Sequence, residues 1–122
     1  MTRILIADDD ATILHVVSTL LRFEGYEVET AADGQAALQQ VLQRPPELLI
    51  SDIQMPGLDG LSLLRAIRAN PALAAVRVLL LTGQGDDDPA LAQALAQGHA
   101  RLGKPFTREQ LLAALRALMP PR

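Results

Sequence analysis

Cysteine is absent from all 122 residues. That excludes disulfides, thiol catalysis and cysteine-ligated zinc, and it suits a reducing compartment, so the expected location is cytoplasmic. Aromatic residues are nearly as scarce, 2% against 49% hydrophobic overall, so the core must be aliphatic. No apolar run approaches the roughly 18 residues of a membrane-spanning helix. The opening MTRILIADDD also lacks a signal peptide's apolar stretch and small-residue cleavage site. Positive charge is short as well: 11 basic against 14 acidic residues leave a formal charge of −3 and no basic footprint for direct nucleic-acid contact. What remains reads as one domain over 1–122, with its core over about 3–119 and the last three residues a tail or the start of a linker.

What is present is an alternation of short apolar runs with helical periodicity. Ile4-Leu5-Ile6-Ala7 is continuously apolar, the mark of a strand covered on both faces. Ile13, Leu14, Val17, Leu20 and Leu21 then recur at helical spacing before Gly25. YEVETA alternates polar and apolar, which predicts a second strand at a sheet edge. Asp33 caps a helix bearing Ala37, Leu38, Val41 and Leu42, ended by Pro45-Pro46. Leu48–Ser51 is the third strand, and Asp59 caps a helix bearing Leu61, Leu64 and Ile67. Val78–Leu81 is the fourth strand, and Asp88-Pro89 opens the fourth helix. HARLG is a short fifth strand, and Thr107 with Gln110 forms a capping box before Leu111, Leu112, Leu115 and Leu118. Five strands alternating with five helices predict an α/β fold, a doubly wound parallel sheet in a three-layer sandwich.

Polar groups mark the carboxyl ends of these strands. The first ends in Asp8-Asp9-Asp10, the third in Ser51-Asp52 and the fourth in Thr82, while Lys104 follows the fifth. In a parallel sheet these ends share one edge, where ligands bind. Two carboxylates about 4 Å apart repel by roughly 4 kcal/mol at an effective dielectric near 20. Without a cation one of them would take up a proton. An all-oxygen cluster with no histidine or cysteine suits Mg²⁺, with Mn²⁺ as a substitute. Such a metal leaves Asp52 ionised and nucleophilic, and Lys104 and Thr82 can hold the oxygens of a phosphoryl group.

ILIADDD, LLISDIQMPGLDG, LLLTG and GKPF, in that order, resemble the receiver domain of two-component response regulators. The resemblance runs from Arg3 to about Met119. It implies a flavodoxin-like sheet of order 2-1-3-4-5, with Asp52 as phosphoacceptor and Asp9 as a direct metal ligand. Asp8 is then its partner acting through water, and the backbone carbonyl of Gln54 a further ligand. Thr82 is similar to the family's switch hydroxyl and Lys104 to its lysine, with a cis peptide at Pro105. The implied partners are a histidine kinase or histidine phosphotransfer protein and a downstream target or fused output domain. A homodimer through the fourth helix, fifth strand and fifth helix is a further expectation; membrane and direct nucleic-acid partners are not expected. The implied role is a phosphorylation-dependent switch, not an enzyme acting on a diffusing metabolite. Arg101 departs from the family pattern, which often has Tyr or Phe three residues before the lysine. A long, permanently charged side chain does not enter an apolar slot as a ring does, so Arg101 is expected to stay exposed on the partner-binding face.

Blander readings compete. Asp10 reads as a helix cap, Asp86-Asp87-Asp88 as a capped helix start favoured by the dipole, and His15 and His99 as surface residues. A flavin or nucleotide domain would want glycine or hydroxyl residues in the first loop, where three aspartates would repel a phosphate. A phosphohydrolase with an aspartyl nucleophile would want an acid at position 54, which is glutamine, and room for a cap domain. A degenerate receiver acting as an unphosphorylated scaffold is the alternative within the same fold, disfavoured by the presence of every reactive residue.

Overall fold

The computed structural model describes residues 2–83, 89–96 and 100–119. In chain order they form β1 (Arg3–Ala7), α1 (Ala11–Phe23), β2 (Glu27–Ala31), α2 (Gly34–Gln43), β3 (Leu48–Asp52) and α3 (Gly60–Arg68). A short 3₁₀ turn (Pro71–Leu73), β4 (Arg77–Thr82), α4 (Pro89–Ala96), β5 (Ala100–Gly103) and α5 (Arg108–Leu118) follow. The strands pair in parallel in the order β2-β1-β3-β4-β5, the expected doubly wound sheet with its alternating strand at one edge.

The period-2 geometry of the strands sorts the core into two aliphatic layers. Leu5, Leu49, Val78 and Leu80 join Ala37 and Val41 of α2 and Leu61, Leu63, Leu64 and Ile67 of α3, with Leu91 of α4. Ile4, Ile6, Leu48, Ile50, Leu79 and Leu81 face Val17 and Leu21 of α1 and Leu111 and Leu115 of α5. The register Ile4↔Leu48↔Arg77 brings the carboxyl ends of β1, β3 and β4 to one edge.

Capping follows the sequence closely. Asp10 accepts from the amides of Thr12 and Ile13, Asp33 from Ala36 and Asp59 from Ser62. Thr107 and Gln110 form the reciprocal box. Gly25 takes a positive φ of 96° just beyond α1, where a side chain would be strained. Leu42 departs from expectation: it is 52% exposed, because it lies about 100° round the helix from Val41 at the last turn of α2. Leu63, outside the expected stripe, is fully buried, since it lies one turn before Ile67 on the same core-facing side of α3. The expected cap Asp88, its neighbours Asp86 and Asp87, and His99 lie outside the described residues.

Candidate functional site

β1 delivers Asp8 at its carboxyl end, fully buried, with its amide donating to the Ala31 carbonyl at 3.1 Å. The Asp8 side chain accepts from the Asp10 amide at 2.9 Å, fixing the turn into α1 and leaving Asp9 exposed at the rim. β3 delivers Asp52, buried, whose carbonyl accepts from the Ser51 hydroxyl at 2.9 Å. Carboxylate oxygens of Asp8, Asp9 and Asp52 lie within 4.8 Å of one another.

Lys104 reaches this trio from the far side of the sheet. Its ammonium sits 3.0 Å from Asp8 Oδ2 and 3.2 Å from Asp52 Oδ2. Its backbone amide donates to the Thr82 carbonyl at 2.6 Å, and the Lys104–Pro105 peptide is cis, as the resemblance implied. Thr82 ends β4 and is buried, beside Gly103, its partner on β5. Gln54 lies two residues beyond Asp52, exposed, in the loop leading to α3. Arg101 is exposed on β5, as expected. His15 is exposed on α1 and joins none of these groups.

The electrostatics carry the imprint of crowding. Burial pushes the Asp52 carboxyl above its ordinary range and the Asp8 charge adds to it, while Lys104 and the Ile53 amide pull it back only in part. For Lys104, burial alone would lower the ammonium pKa. Its hydrogen bonds and charge contacts with Asp8 and Asp52 outweigh that, and the net direction is up. Two carboxylates thus share one ammonium, with the Asp9 carboxylate close by. Among the described residues the set is all oxygen with no nitrogen or sulfur donor, which fits a hard divalent cation such as Mg²⁺.

Sequence reading missed three supporting residues: Ser51, which holds the Asp52 carbonyl, and the glycines Gly34 and Gly60, which open α2 and α3 without a side chain. A signal for the glycines was there. Asp33-Gly34 and Asp59-Gly60 each put a poor helix former directly after a cap.

Comparison with known proteins gives a consistent result. A model described as the response regulator receiver domain matches residues 4–116. The transcriptional regulatory protein PrrA of Mycobacterium tuberculosis is 38% identical over 120 residues, covering 98% of this chain and 51% of its own length. A probable chemotaxis protein CheY of Rhizobium etli is 38% identical over 119 residues, covering 95% of this chain and 91% of its own. The receiver domain of a sensor histidine kinase from Pseudomonas aeruginosa PAO1, with a magnesium ion coordinated in its active-site cleft, superposes at a TM-score of 0.86. It is 29% identical, with 98% of each chain covered. The chain spans about half the length of several curated relatives that it matches, among them transcriptional regulatory proteins.

Proposed function

The chain belongs to the response regulator receiver domain family, the signalling switches of two-component systems, and from that premise we propose that Asp52 is its phosphoacceptor. A carboxylate oxygen of Asp52 attacks phosphorus in line and the phosphorus–nitrogen bond to a partner's phosphohistidine breaks; with the other ring nitrogen of that histidine already carrying a proton, the bonding pair returns to the ring and the imidazole leaves neutral. The Lys104 ammonium, already within 3.2 Å of Asp52, moves with the negative charge onto the phosphoryl oxygens. The Thr82 hydroxyl, at the end of the neighbouring strand, donates to another of them. Asp8, Asp9, Asp52 and the Gln54 carbonyl would hold Mg²⁺. When bound it neutralises the charge shared by Asp52 and the incoming phosphate.

The observation that carries this reading is the one ammonium shared by two buried carboxylates, with a third within 4.8 Å. Such a charge deficit suits a site built for a cation and an anion together. Output follows from Thr82 moving toward the phosphoryl group and altering the face formed by α4, β5 and α5, where Arg101 contributes a charged contact to a partner or to a second copy. On-rate and salt dependence would carry much of Arg101's effect. The donor is a histidine kinase or phosphotransfer protein in the cytoplasm. The recipient is a downstream protein or an output domain fused to the chain.

Incubation with acetyl phosphate and Mg²⁺, read by intact mass, tests the assignment. One added phosphoryl group, lost on hydroxylamine treatment and absent from Asp52→Asn, is expected. Labelling of Asp52→Asn at the wild-type rate would remove Asp52 from the role, and an unlabelled wild type would favour the scaffold.

A further inference from the structure

We propose that Gly34, at the start of α2, is a positioning residue for the 53–59 loop that follows the phosphoacceptor, and through that loop for the cation site. The proposal rests on the reading of the site given above.

The loop is fixed from several sides. Ile53 and Met55 are buried in the layer beneath α2 and α3, with Gln54 between them, and Leu58 packs against the same layer. At its exit, the Gly60 amide donates to the Ile53 carbonyl at 2.8 Å. The Ile53 amide donates to the Leu81 carbonyl at 3.3 Å. A methyl group at Gly60 would overlap the Asp52 carbonyl oxygen and come within 2.9 Å of Ile53 Cα, so α3 starts directly on the phosphoacceptor's own backbone.

Gly34 makes the matching contact from outside the loop. A methyl group there would overlap the Leu58 carbonyl oxygen and meet Leu58 Cβ at 3.0 Å. These neighbours are the main chain and its first side-chain carbon, which cannot swing aside as the end of a flexible side chain can. Positive φ does not explain the glycine, because Gly34 is not among the residues with that conformation. Helix propensity argues against it, since alanine is favoured over glycine in a helix. What the position requires is the absence of a side chain, so that α2 can close on the loop. Leu58 is joined to Met55 by Pro56 and the positive-φ Gly57, a short and constrained path. Pushing Leu58 outward therefore pulls on the Gln54 carbonyl, which the site reading assigns to the cation.

The test compares Gly34→Ala with Val41→Ala, which removes buried volume from the same helix about two turns beyond the Leu58 contact. Two quantities are read: Mg²⁺ affinity by titration calorimetry, and hydrogen exchange at the Ile53 and Gly60 amides without metal. Gly34→Ala is expected to weaken Mg²⁺ binding about tenfold, the low end of what supporting partners of a metal site cost, and to speed exchange at both amides. Val41→Ala should lower the melting temperature while leaving both local readouts near wild type. Should Gly34→Ala not fold, Leu58→Gly loosens the loop from its own side by removing the packing of Leu58 against the core layer, without a clash at Gly34, and should show the same two changes. Wild-type Mg²⁺ affinity and wild-type exchange in a folded Gly34→Ala would overturn the proposal, as would equal losses in Val41→Ala. Failure of the wild type itself to bind Mg²⁺ would count against the site reading instead, and amide exchange would still decide the role of Gly34.

Discussion

The two edges of the sheet treat charge in opposite ways. At the edge where β1 begins, Arg3 pairs with Glu29 at 3.0 Å and donates to the carbonyls of Arg44 and Pro45 at 3.1 Å, while Arg44 lies 3.5 Å from both Glu27 and Glu29. Two cations meet two anions there, and the end of α2 is tied to β1 and β2. At the opposite edge, among the described residues, Asp8 and Asp52 share the ammonium of Lys104, and Asp9 adds a third carboxylate within 4.8 Å of theirs. The first edge is neutral and serves the fold. Among the described residues the second is short of positive charge, two of its three carboxyl groups are buried, and a mobile cation can complete it. The same residue types therefore do different work according to whether the local charge closes.

Lys104→Met should give the largest effect. It leaves fully buried Asp8 without its cation, and the metal-free protein should lose about 2–3 kcal/mol. Labelling by acetyl phosphate should slow by about a hundredfold or more. Added Mg²⁺ should recover part of the stability in a thermal melt; no recovery would mean that the edge has no use for a second cation. At the balanced edge, Arg3→Met should cost about 1–2 kcal/mol with Mg²⁺ affinity unchanged. A change in Mg²⁺ affinity there would break the distinction between the edges.

The strands, their helices, the edge strand and most caps were legible because each depends on local periodicity or on a capping side chain within three residues, while the order of the strands came from the family resemblance. The convergence of Asp8, Asp52 and Lys104 was legible at the level of the sheet edge, because parallel strands send their carboxyl ends the same way. Their pairing was not, since Lys104 and Asp8 are 96 positions apart and which carboxylates an ammonium chooses depends on the loop after β5. The close approaches at Gly34 and Gly60 escaped for the same reason: they are contacts between distant backbones, signalled only by a glycine where a helix would prefer alanine. Leu42 was misplaced because an apolar residue at the end of a helix fits the stripe by type but not by angle.

A smaller effect separates the edges by pH. The Asp52 pKa is raised in the folded protein, so just above the ordinary carboxylate range the fold keeps a proton that the unfolded chain has lost. Metal-free stability should therefore fall as pH rises through the window up to the raised value. Asp52→Asn should flatten that fall in a series of melts, and an unchanged slope would place the titration elsewhere. The smallest effect is expected at Arg44→Ala, where two well-exposed pairs are lost; melts should register within about 0.5 kcal/mol of wild type.

The central claim is that the charge deficit beside Asp52 is there to be filled by a divalent cation during phosphoryl transfer. Intact mass after acetyl phosphate treatment, run in parallel with Mg²⁺ and with excess EDTA, tests it most directly. One phosphoryl group per chain with Mg²⁺ and essentially none with EDTA is the expected result; equal labelling in both would contradict the account.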